Sequence, residues 1–144
     1  MPSVVADARV YLGRSLDEVL DVLGPDAEPI PGDEYGRLDD VTSIEYTPVY
    51  PGTLYLQDGV VDLVYLGRGA LADVTRSQIT AEVGDDGVRL RSRAGKQANL
   101  VVHAEQGVAY SAEGDTLHFL EVFRPRSQAA YEAEIYADPG AFIR

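Results

Sequence analysis

The sequence predicts an α+β protein made of two tandem units, each a short helix followed by an antiparallel β-meander, with an extra C-terminal helix. Three observations predict it. Two capping boxes, Ser15-Leu16-Asp17-Glu18 and Thr75-Arg76-Ser77-Gln78, open two short helices. Both helices end on a glycine at the same interval, Gly24 and Gly84. After each comes a run of short segments rich in Val, Leu, Thr and Tyr, the composition of strands. The repetition reads as a duplication. The predicted units span 1–68 and 69–126. A C-terminal helix and tail cover 127–144, and the whole forms one compact domain with its helices packed on one side of the sheet or sheets.

In the first unit, Leu16, Val19, Leu20 and Leu23 recur at helical spacing and make one apolar stripe. Gly24-Pro25 stops that helix, because Pro cannot continue the turn. Residues 25–40 are rich in Pro, Gly and Asp and read as a loop. Strands are predicted at 42–46, 53–57 and 60–66. Pro48 and Pro51-Gly52 separate the first two, and Asp58-Gly59 is a strong hairpin signal between the last two.

The second unit opens with Val74 placed to staple onto Ile79, and Ile79 and Val83 continue the apolar face. Strands are predicted at 88–93, 99–104, 107–112 and 116–123, joined at Ala94-Gly95, Gln106-Gly107 and Glu113-Gly114-Asp115. Segment 127–137 is helix-prone, with Tyr131 and Ile135 one turn apart on one face. Asp138-Pro139-Gly140 ends it ahead of an apolar tail, 141–144. Docking of this helix on the sheet is expected, in preference to a free partner-binding tail.

The stretch GRSLDEVLDVLGPDAEP at 13–29, with SIEYTPVYPGTLYLQDGVVDLVYLG at 43–67, resembles a known repeat. It is similar to the helix-plus-meander unit of the BamE/SmpA lipoprotein family, and to the units of the tandem β-lactamase inhibitor proteins. The shared features are the apolar helix ending in Gly-Pro and the hairpin at Asp58-Gly59. The resemblance implies a binding surface rather than an enzyme. The chain has no Cys, so the lipid anchor of the lipoproteins has no counterpart, and Gly84 is not followed by Pro. No contact residue of an inhibitor maps onto a position here.

Composition excludes several functions. The 144-residue chain has no Cys, which removes disulfides, thiolate catalysis and Cys-ligated zinc. Its formal net charge is −12, with one lysine, Lys96, so nucleic acid and anionic lipid are repelled at long range. A solubilising surface and adaptation to a salt-rich cytoplasm both account for this charge. No apolar run is long enough to span a bilayer, and the N-terminus has no signal-peptide pattern. A cytoplasmic protein is expected, although an exported protein stripped of its leader would read the same. Neither nucleic acid nor membrane is expected as a partner, and no cofactor or metal is implied.

Two groups of residues stand out as candidate contacts. Arg89, Arg91 and Arg93 alternate along one strand, which puts three guanidinium groups on one face with Val88 and Leu90 on the other. Lys96 lies just beyond. Such a stripe suits an acidic partner, although a solvated face paired with neighbouring acids is the preferred reading. The nine tyrosines, with no Trp, are the second group. Tyr55 alternates against Leu54 and Leu56 and is expected to face away from the core. Tyr46, in phase with Ile44, and Tyr65, in phase with Val61 and Leu63, are expected inside it.

His103 and His118 are the only histidines and carry no metal-site or triad spacing. The expected function is therefore a non-enzymatic protein-interaction module. It would bind a protein partner through an exposed sheet face with Tyr55, Arg89, Arg91 and Arg93. The alternatives are a small-ligand carrier with an apolar pocket between sheet and helices, and a hydrolase-like or metal-dependent enzyme using His103 and His118. A homo-oligomer formed through an edge strand or the tail is a further possibility.

Overall fold

The computed structural model describes residues 3–92 and 99–136. Among these residues four α-helices, α1 (Val4–Arg9), α2 (Leu16–Leu23), α3 (Arg76–Val83) and α4 (Gln128–Glu134), accompany one antiparallel sheet. Its strands are β1 (Pro29–Tyr35), β2 (Leu38–Ile44), β3 (Thr53–Gln57), β4 (Val60–Gly67), β5 (Val88–Arg91), β6 (Asn99–His103), β7 (Val108–Glu113) and β8 (Thr116–Phe123). Their spatial order is β1-β2-β3-β4-β8-β7-β6-β5. The protein is thus α+β, with a capped helix and a meander in each half, α1 ahead of the first and α4 after the second. In both halves the capping box is complete: Ser15 and Thr75 accept from the backbone N–H of Glu18 and Gln78, whose side chains accept in return.

The two halves meet at β4 and β8 and repeat each other in register. Val64 pairs with Val122 and Leu66 with Leu120, on either side of the pair Tyr65–Glu121. Leu54 pairs with Val64 as Tyr110 pairs with Leu120. Both hairpins bulge at the same place, between Tyr55 and Leu56 and between Ser111 and Ala112. The bulges leave Asp62 and His118 as the unpaired extra residues. Even the lone bridges correspond: Ser15 touches Val60, and Thr75 touches Thr116. A local two-fold axis therefore passes through Tyr65 and Glu121.

Two cores form, one on each face of the sheet. On the inner face α1, α2 and α3 bury Val5, Ala8, Val19, Leu23, Ile79 and Val83 against strand residues such as Leu54, Val64, Tyr110 and Leu120. On the outer face α4 buries Tyr131 and Ile135 against Leu100, Val102, Ala109 and Phe123. The C-terminal helix docks on the sheet as expected, but on the face opposite the other three. That half of the outer face is covered. The tail 141–144, and the notion of a tail-mediated contact, lie outside the described residues.

Several expectations need correction. The segment 25–40 is no loop, for it holds β1 and the start of β2, joined at Gly36-Arg37. As an edge strand with two register shifts, β1 tolerates its two prolines and its glycine. Tyr46 is 73% exposed rather than in the core, because β2 ends at Ile44 and the alternation stops with it. Tyr65 is half-buried on the outer face. The bulge at Asp62 turns Val61 inward and Leu63 and Tyr65 outward, so the expected phase relation fails. Residues 4–9 form a helix, capped by the Ser3 hydroxyl, that the sequence reading had not assigned.

Candidate functional site

The predicted contact residues do not share a surface. Tyr55 pairs with Ser43 and Leu63 and lies on the outer face. Arg89 and Arg91 are exposed on the edge strand β5. They pair with Val101 and Asn99, which places them on the inner face beside α3. Val88 and Leu90 point to the outer face, as alternation requires. Four strands separate β3 from β5. Arg93 and Lys96 lie outside the described residues.

Around Tyr55 the first half opens a hollow of about 620 Å³ on the outer face. Its walls carry Tyr46, Tyr55 and Tyr65 with the carboxylates of Asp33 and Glu45, and Gly67 leaves one side low. No basic side chain is found among its described lining residues. Strand pairing brings Asp33 into place: it stands opposite Val41, within reach of the Ser43 hydroxyl, which donates to its Oδ2 at 2.6 Å. The Glu34 amide donates to its Oδ1 at 2.8 Å. Those two donors, the Ser43 hydroxyl first, hold the Asp33 carboxyl below its ordinary range, so it is a carboxylate at neutral pH.

The tyrosines are held from behind. Tyr35, buried near the tip of the β1–β2 hairpin, lays its ring 4.8 Å from Tyr55 and 5.6 Å from Tyr65, centre to centre. Its hydroxyl donates to Glu121 Oε2, and Tyr131 of α4 donates to Oε1 at 2.5 Å. Glu121 is 1% exposed. One buried carboxylate thus ties the hairpin behind the hollow to the helix beside it. Such a group is tolerated inside only because its oxygens are satisfied.

The other polar clusters are arranged by the same local two-fold. Asp62, its side chain 3% exposed, accepts from Arg124 Nε and from Arg126, both at 2.8 Å, and Arg126 also reaches Glu134 of α4 at 2.7 Å. Its counterpart His118 contacts Arg68, the counterpart of Arg124. His103 lies elsewhere, stacked near Tyr110 with Asp86 at 3.8 Å from Nδ1. Burial pushes the His103 imidazole below its ordinary value, and the charge of Asp86 opposes that shift. The two histidines therefore have separate partners. Among the described residues no group of three or more His, Cys, Asp or Glu is placed to hold a metal ion. No described helix is long and apolar enough to cross a membrane.

Sequence reasoning gave the direction of Tyr55, opposite Leu54 and Leu56, but singled out none of Asp33, Glu45 and Glu121 and expected Tyr46 and Tyr65 in the core. The Thr47-Pro48 step was the available signal, since a residue before proline is conformationally restricted and marks the end of regular structure near Tyr46. Nothing local signals Asp33, whose position depends on a strand pairing ten residues away. No family model matches the chain, and neither a curated protein nor a solved structure matches it.

Proposed function

We propose that this protein is a non-enzymatic interaction module that takes a positively charged segment of a protein partner into the outer-face hollow. The observation that carries this reading is the hollow's wall: three tyrosines and two carboxylates without a basic group among the described lining. Tyrosines supply rigid contact area at small entropic cost, and their ring faces attract ammonium and guanidinium groups. Asp33 and Glu45 supply the complementary charge, which steers a basic partner and disfavours acidic ones. The resemblance to tandem inhibitor proteins points to binding as well. A ligand carrier would open its pocket between the sheet and α1–α3, where the inner core's side chains pack.

Affinity capture from the native lysate tests this reading. Wild type is compared with Tyr55→Ala/Glu45→Lys and with Arg89→Glu/Arg91→Glu, all three shown to be folded by circular dichroism. The expected result is a partner kept by wild type and by the arginine variant and lost from the hollow variant. The reverse pattern would move the contact to β5 and remove the hollow from the proposal.

A further inference from the structure

The local two-fold axis relates the hollow to the place where α4 sits. Strand register makes Ser43 the counterpart of Leu100 and Thr53 of Ala109, and Glu45, one residue past the end of β2, lies on the side that Val102 occupies in the second half. It likewise relates Tyr65 to Glu121 and Gly67 to Phe123. In the second half, Leu100, Val102, Ala109 and Phe123 receive Tyr131 and Ile135 from α4. The Phe123 and Tyr131 rings lie 5.2 Å apart. In the first half the same backbone carries the hollow.

Connectivity explains why the first half lacks such a helix. After β8 the chain turns through residues 124–127 onto the outer face as α4. After β4 it turns through Gly69–Leu71 and crosses to the inner face as α3. The first half's own continuation is committed to building the second, so the segment that follows β4 leaves no helix on the first half's outer face.

We infer that the hollow is a docking seat for one short helix of a protein partner, lying as α4 lies on the second half, with lysine or arginine turned toward Asp33 and Glu45. This rests on the proposed interaction role and specifies its partner. The side chains beneath the seat set the chemistry of the occupant. Where α4 rests on Leu, Val, Ala and Phe, the seat offers Ser43, Glu45, Thr53 and Gly67 among tyrosines. An apolar bed suits a permanent cover, whereas a polar and aromatic bed suits a helix that comes and goes. A second copy's α4 is a poor fit, because its Glu132 and Glu134 would add two more carboxylates to a seat that already carries Asp33 and Glu45.

The test is an NMR titration of the full ¹⁵N-labelled chain with three synthetic peptides. The first is the α4 sequence from Ser127 to Tyr136 with Glu132→Lys and Glu134→Lys, stapled on its solvent side to hold the helix. The second has the same composition but is interrupted by proline, and the third is the stapled native acidic sequence. The lysine helix is expected to shift the amides of β2, β3 and β4 around the hollow. It should bind at least about tenfold more tightly than either control. Asp33→Asn/Glu45→Gln should remove that advantage, while Asp17→Asn/Asp21→Asn, which takes the same charge from exposed positions on α2, should not. If the proline-interrupted peptide binds the hollow equally well, the helix inference falls and the basic-partner reading stands. If no peptide shifts the hollow, or the shifts map to β6 and β7 beneath α4, both fall.

Discussion

The outer faces of the two halves share one backbone and part company in their side chains. β6, β7 and β8 carry Leu100, Val102, Ala109 and Phe123 beneath α4, whereas β2, β3 and β4 carry Ser43, Thr53 and Gly67, with Glu45 just past the end of β2, around an open hollow. The inner faces differ far less, since each half presents a capped helix with two fully packed apolar residues, Val19 and Leu23 or Ile79 and Val83. The lesson is that one sheet architecture serves two ends. Where the following chain can fold back, the outer face becomes core. Where the chain must leave, the face stays polar and aromatic, and no described helix covers it.

The largest expected effect comes from removing the cover. Tyr131→Ala empties a buried ring site and strips one donor from Glu121, so unfolding in urea should show a loss of about 4 kcal/mol. A loss below about 1 kcal/mol would mean that α4 adds little to the second half, and the contrast between the faces would lose its energetic basis. A smaller effect separates the matched bulge residues. Asp62→Ala leaves Arg126 without its buried partner and should cost about 2 kcal/mol, less than a fully buried pair because Arg124 is half exposed. His118→Ala, at the counterpart position, should cost about 0.5 kcal/mol or less. Equal losses would show that the two bulges are energetically alike.

The smallest effect is one of pH and belongs to the second half alone. His103 titrates below its ordinary value of 6.5 in the fold. The unfolded chain therefore takes up its proton first as the pH falls, and folding opposes that uptake. Stability should decline as the pH drops from about 6.5 toward the lowered folded value, and level off below it. His103→Gln should flatten that slope in denaturant titrations repeated across pH. An unchanged slope would assign the acid sensitivity to carboxylates such as Asp33, whose lowered value also makes stability fall, at more acidic pH.

The legible parts of this fold were those set locally. Ser15 and Thr75 announce their helices because a cap is a contact across three residues, and Asp58-Gly59 announces its hairpin because both residues need positive φ, +53° and +84°. β1 was hidden because it reads as Pro-Ile-Pro-Gly-Asp-Glu-Tyr, and only an edge position makes that sequence a strand. The site was harder still. The direction of Tyr55 follows from alternation. That of Tyr65 follows from a bulge at Asp62, and a bulge leaves no reliable mark on its own strand. The meeting of Asp33 with Ser43, and of Tyr35 and Tyr131 with Glu121, depends on pairings and packing across long stretches of chain.

The pair on the local axis carries a consequence of its own. Two identical subunits meeting on a two-fold axis must set a residue against its own copy, so the contact has to be self-complementary. Glutamate against glutamate would be repulsive there, and tyrosine against tyrosine would bring no buried charge. Within a single chain the axis is free of that rule, and Tyr65 stands opposite Glu121. That one unlike pair gives the sheet a left and a right: the carboxylate recruits a tyrosine from a neighbouring element on either side, and the aromatic ring turns instead toward the open hollow.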